Sequence, residues 1–186
     1  MGIEEKIKTV KDLYNKGYEI TEGGDAERKQ LKNGLKLYLK AYDIVKDNLK
    51  EIAKKNIMEA DNLLFNIAGV YQALADLKYP QIYDKENIVP ENTKEREYLW
   101  VAIKWLDELI KFYPKDWEAY YTLGTHLCRV ERYKEAIPYL EKAVKLNPTH
   151  DTEKNLDYAR RRAKPEKHYN EANTWGLDHI VTGPIC

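Results

Sequence analysis

The chain has 186 residues, 43% of them hydrophobic and 33% charged, with 31 basic against 31 acidic side chains. A balanced charge of this kind excludes general attraction to nucleic acid or anionic lipid, so any such binding needs a local patch. The length suits one folded unit or a short array of repeats, and the two cysteines, Cys128 and Cys186, form no CxxC pair, which excludes a zinc knuckle or a disulfide framework.

The opening stretch MGIEEKIKTV has no apolar core, and nowhere do about 18 apolar residues run together, so neither secretion nor a membrane span is expected and a reduced, cytoplasmic setting is. Gly2 is followed at position 6 by Lys, where a myristoylation signal needs Ser or Thr. Glutamine is scarce while Lys, Glu and Ile are plentiful, a composition found in thermophile proteins.

Apolar residues recur at three- and four-residue steps from Ile3 to Ala163, which predicts helices over 3–19, 26–55, 57–77, 94–112, 117–130, 133–146 and 151–163. Breaks fall at TEGGD (21–25), at KYPQIYDKENIVPENT (78–93), at YPKD (113–116) and at NPTHD (147–151), where Gly, Pro, Asn and Asp gather. Asp and Thr stand before several helix starts, where a side-chain oxygen can accept from free backbone donors. No stretch alternates as a strand.

The later helices repeat. Ala102, Leu106, Leu109 and Pro114 recur as Ala136, Leu140, Ala143 and Pro148, each displaced by 34 positions. Small Ala lets two helices approach, Leu fills the space between pairs, and Pro ends the second helix before the next pair begins. Gly124 fits the same logic on a first helix.

Residues 117–148 thus resemble a tetratricopeptide repeat, on Tyr120, Leu123, Gly124, Leu127, Ala136, Leu140, Ala143 and Pro148, with Tyr120, Leu127 and Leu140 replacing the usual aromatics. The unit over 57–114 resembles the family through Leu64, Ile67, Ala68, Tyr71, Ala102, Leu106, Leu109 and Pro114, with 22 additional residues around 78–93. Tyr79, Ile82, Tyr83 and Ile88 of that insertion could cover the groove mouth or staple the two long helices, and the staple is preferred. A third unit over 3–48 is carried by Gly34, Tyr38 and Ala41, with Asp47 and Asn48 where the closing Pro belongs. Helix 151–163 has the thin apolar stripe of a cap.

The resemblance implies an all-α, right-handed superhelix of helical hairpins over 1–163, a capping helix, and an irregular C-terminal tail over 164–186. It also implies a concave groove lined by the first helices, whose residues here would be Asn62, Phe65, Asn66, Gly69 and Gln72 in one unit and Glu118, Tyr121, Thr125, Cys128 and Arg129 in the next. The chaperone-binding branch of the family grips a C-terminal carboxylate with Lys, Asn and Arg. Only Asn66 matches that set, whereas Phe65, Gly69, Glu118 and Thr122 depart from it, so a receptor for chaperone tails is not expected. An aromatic, neutral groove favours a ligand offering apolar side chains and backbone hydrogen bonds.

Chemistry is sparse. No GxSxG, HExxH, Walker loop or dinucleotide fingerprint occurs, and pairs such as Asp107-Glu108 and Glu95 with Glu97 sit among lysines on wet helix faces. His126 and Cys128 are two apart on a helix, about 200° around it, and cannot share a metal. His150 reads as a turn or cap residue. No enzymatic activity and no cofactor are expected. Within the tail, His168, His179 and Cys186 stand near Asp178 at spacings that fit no standard site, and a metal- or thiol-dependent role of this tail is the alternative function. A second alternative is RNA binding through Arg160, Arg161, Arg162 and Lys164, although basic residues at a helix end also complement its dipole.

The tail carries Tyr169, Trp175, Leu177, Ile180, Val181 and Ile185, too apolar for solvated disorder. Two readings stay open: Trp175, Leu177 and Ile180 anchor the tail against the cap helix, or the tail occupies the groove of its own or a neighbouring molecule and gives a homo-oligomer. The sequence therefore points to a non-enzymatic scaffold or adaptor that binds a protein or peptide partner.

Overall fold

The computed structural model describes residues 3–21, 27–55, 60–80 and 88–164. These residues form eight α-helices: α1 (Ile3–Thr21), α2 (Arg28–Val45), α3 (Leu49–Lys55), α4 (Ala60–Asp76), α5 (Lys94–Phe112), α6 (Trp117–Arg129), α7 (Tyr133–Leu146) and α8 (His150–Ala163). They pack as antiparallel hairpins, α1 on α2, α4 on α5 and α6 on α7, with α8 closing the stack on α7. The tail beyond Lys164, with Trp175, Leu177, Ile180, His168, His179 and Cys186, lies outside the described residues.

Local chemistry sets the helix ends. Thr93 accepts from the Arg96 amide at 3.2 Å and Asp116 from the Ala119 amide at 3.1 Å, each satisfying a donor that has no partner within its own helix. Thr149 and Thr152 bond reciprocally at the start of α8, and Glu27 with Gln30 do the same at the start of α2.

The single helix expected over 26–55 is divided. A 3-10 turn, Lys46–Asn48, separates α2 from α3. Asp47 and Asn48 are poor helix formers whose side chains compete for backbone donors, and they occupy the place where a closing proline would stand. The repeat boundary therefore acts here without its proline.

Glycine lets one hairpin close. A Cβ on Gly124 would lie 2.6 Å from Leu140 Cγ, so only glycine allows α6 to approach α7 at the fully buried Leu140. Helix α4 serves two cores at once. Leu63, Ile67, Val70 and Leu74 join the cluster built by α1 and α2, while Leu64, Ala68 and Ala75 join the one that extends through α8. Its remaining stripe, Asn62, Phe65, Asn66, Gly69 and Gln72, is left unburied. Tyr42 and Trp105 meet edge to face at 4.6 Å and join the two cores.

The described ends of the insertion reach past their own hairpin. The Tyr79 carbonyl accepts from Arg129, and the amide of fully buried Val89 donates to the Arg129 carbonyl at 2.9 Å. Arg96 then donates to the Val89 and Val130 carbonyls, both at 2.7 Å. These ends staple the second hairpin to the end of α6, in the third.

Candidate protein-interaction face

The first helices of the hairpins, α1, α4 and α6, and the cap α8 are linked along one face by side chains. Asn66 Nδ2 on α4 donates to Tyr14 Oη on α1 at 2.9 Å. Arg129 on α6 donates to Asp76 Oδ1 on α4 at 2.6 Å and to the Tyr79 carbonyl at 2.9 Å. Asn155 Nδ2 on α8 donates to Tyr121 Oη on α6 at 2.7 Å. One polar rung thus joins each successive pair of these helices.

The residues expected to face a ligand divide into two groups. Asn66, Tyr121 and Arg129 make the rungs. Arg129 is only 5% exposed, so its guanidinium holds helices together rather than facing solvent. Thr125 is buried as well, its hydroxyl donating to the Thr122 carbonyl at 2.8 Å. Phe65 is half-buried, Gly69 and Gln72 reach the surface of the same stripe, and Asn62 and Glu118 are exposed. Gln72 Nε2 donates to Asp76 Oδ2 at 3.3 Å, which brings it beside the Arg129 rung.

Three residues of this face were not legible as such in the sequence. Tyr14 and Tyr18 of α1 stack at 6.2 Å with planes 14° apart, and Tyr18 is 41% exposed. Their i, i+4 spacing is a signal that could have revealed them, but α1 lacks the regular repeat positions. Asn155 falls on the cap, outside the repeat positions that line a groove.

Two titratable side chains, His126 and Cys128, are buried beneath the face. Burial, with a smaller contribution from the Arg129 charge, pushes His126 down to about 3. Neither of its ring nitrogens has a hydrogen-bond partner among the described residues. Burial also pushes the Cys128 thiol up to about 12, far from a reactive thiolate. Among the described residues, no group of three or more His, Cys, Asp or Glu side chains could hold a metal.

On the opposite side, Trp100, Lys104, Lys111, Pro138 and Tyr139 rim an open depression between α5 and α7. Lys111 there is held by Asp107 at 3.0 Å and Glu108 at 3.1 Å. The basic run at the end of α8 is likewise engaged, Arg160 by Glu141 at 2.8 Å, Arg161 by Asp157 at 3.0 Å, and Arg162 over the Tyr133 ring at 5.4 Å.

The family model described as tetratricopeptide repeat matches residues 117–150, which span α6, α7 and the start of α8. Residues 117–150 are a tetratricopeptide repeat. No curated protein sequence matches the chain. Among solved structures, one titled the first TPR of Spaghetti (RPAP3) bound to HSP90 peptide SRMEEVD is similar, with a TM-score of 0.57 and 15% identity over 83% of this chain and 93% of that one. That likeness shows the fold: the described helices stack as tetratricopeptide-like hairpins, of which the family model matches the third. No enzyme family is found. Among the described residues, no helix is long and apolar enough to cross a membrane.

Proposed function

We propose that this tetratricopeptide domain is a non-enzymatic scaffold that holds a peptide segment of a partner protein against the face formed by α1, α4, α6 and α8. The supporting observation is the third stripe of α4. Two stripes of that helix are buried in two cores, yet the third, with half-buried Phe65 beside Asn66, Gly69 and Gln72, is only partly covered by the described residues. With Tyr18 and Tyr121 on either side, it offers aromatic carbon for apolar side chains and amides for a peptide backbone. The solved relative's title names a peptide bound to a domain of the same fold. Its acidic SRMEEVD sequence is not the kind favoured here, because the one arginine expected on this face is buried against Asp76.

Selection of peptides from a random displayed library against the full chain tests the reading. Enriched sequences should be apolar or aromatic, should shift the amide resonances of Phe65, Gly69 and Tyr121, and should lose binding to a Phe65→Ser, Tyr18→Ser variant. Enriched peptides that map instead to the α5 and α7 side, or a library that yields none, would overturn the assignment.

A further inference from the structure

Glycine inside a helix lowers stability relative to alanine, so each one calls for a reason. Three of the glycines in the described helices have a packing reason. A Cβ on Gly124 would lie 2.6 Å from Leu140, one on Gly17 2.8 Å from the Tyr38 ring, and one on Gly34 2.2 Å from Thr21 Cγ2. Gly69 differs. It lies within α4 between Phe65 and Gln72, and nothing among the described residues comes within 4 Å of where its Cβ would be. No described residue demands this glycine, and its absent side chain leaves a notch on the proposed face.

We infer that the notch receives Trp175 of the chain's own C-terminal segment, which makes residues 165–186 an intramolecular competitor for the peptide face. The inference rests on the proposed function and adds to it an occupant and a form of regulation. Trp100, Trp105 and Trp117 are each half-buried and engaged within the described fold, by Arg132, Tyr42 and Tyr121 respectively. The fourth tryptophan, Trp175, belongs to a segment that also carries Leu177, Ile180 and Val181 and, over 172–181, a single carboxylate, Asp178. Such a segment matches a face of aromatic rings and neutral amides and gains nothing from a charged one.

The geometry permits the contact. Helix α8 lies beside α6 through the Asn155–Tyr121 bond, and α6 is joined to α4 through Arg129 and Asp76. Two helix steps of about 8–10 Å each put Gly69 roughly 20 Å from α8. The stretch from Lys164 to Trp175 reaches about 36 Å when extended, so it can cover that distance with slack. A tether of this length gives an effective concentration on the order of millimolar, so even a modest contact keeps the notch filled until a better peptide displaces it.

The full chain labelled with 5-fluorotryptophan tests this by fluorine NMR. The Trp175 resonance, assigned by its loss in Trp175→Phe, should be insensitive to exchange of H2O for D2O, as a buried ring is. In Gly69→Leu it should move to the solvent-exposed position while the other three tryptophan resonances stay in place and report an intact fold. Phe65→Ser serves the same purpose if Gly69→Leu fails to fold. Trp175→Ser should bind the library-selected peptides about tenfold more tightly, the loss of roughly 1.4 kcal/mol of competition. A Trp175 resonance that is solvent-exposed in the natural chain, or indifferent to both variants in folded protein, overturns the inference. Protection that disappears on dilution overturns it too, by assigning the contact to a neighbouring molecule. Selected peptides that bind the α4 face while Trp175 stays exposed would leave the proposed function standing and remove this inference alone.

Discussion

Replacing His126 by Leu removes a titration that the fold cannot accommodate. The imidazole is 1% exposed, and burial together with Arg129 lowers its pKa from 6.5 to about 3. The unfolded chain therefore takes up a proton as the pH drops through 6.5, while the native state takes none until about 3. A basic group with a depressed native pKa leaves stability intact above 6.5 and lowers it below, by about 1.4 kcal/mol per pH unit. Between pH 7 and pH 4.5 His126 should thus cost the natural chain about 2.5 kcal/mol. Every other titrating group acts equally in both proteins, so the difference isolates the histidine. At pH 7 the apolar variant should also be more stable by about 1–2 kcal/mol, because it no longer buries ring nitrogens that have no partner among the described residues. Urea unfolding followed by circular dichroism at several pH values measures both effects, with His126→Gln as a polar control that cannot titrate. Parallel loss of stability in the natural chain and in His126→Leu would refute the reasoning.

Two glycines should respond with opposite sign to alanine. Gly69→Ala, made in the Trp175→Ser chain so that the notch is empty, gains helix propensity with no described residue within 4 Å of the new methyl and should raise stability by about 1 kcal/mol. Gly34→Ala would press a methyl to 2.2 Å from Thr21 Cγ2 and 3.1 Å from the Gly17 carbonyl, and should lower stability by about 1–3 kcal/mol in the same urea titration. Arg129→Met leaves Asp76 without its 2.6 Å partner and frees the Tyr79 carbonyl; a loss of about 3 kcal/mol is expected, and a double-mutant cycle with Asp76→Ala should show strong coupling. Cys128 should be alkylated at pH 8 roughly a thousandfold more slowly than a thiol of ordinary pKa, since burial raises its own by about three units. Peptide mapping by mass spectrometry, with urea-unfolded chain as the positive control, reads that ratio.

The helices and their pairing were legible because they depend on local periodicity and on a few small residues. The 34-residue displacement of Ala102 to Ala136 and of Pro114 to Pro148 reports hairpin closure, which any chain must solve with the same small side chains. Gly124 illustrates this, since its contact with Leu140 lies within one hairpin and one repeat. The break at Lys46–Asn48 was harder to see, because the apolar spacing continues across it and the closing proline is missing.

The face was legible only in part. Sequence position placed Phe65, Gly69 and Tyr121 on the first helices, but it could not distinguish a side chain offered to a ligand from one bonded to the next helix. Arg129 looked like a ligand contact. Its burial against Asp76 and Tyr79 joins residues 53 and 50 positions apart, contacts that the repeat spacing does not specify. Tyr14 joins Asn66 in the same way across 52 positions. Periodicity determined which residues share a helix face, since that follows from backbone geometry alone. The tertiary structure decided which of them are left over, since burial depends on neighbours that the local sequence does not specify.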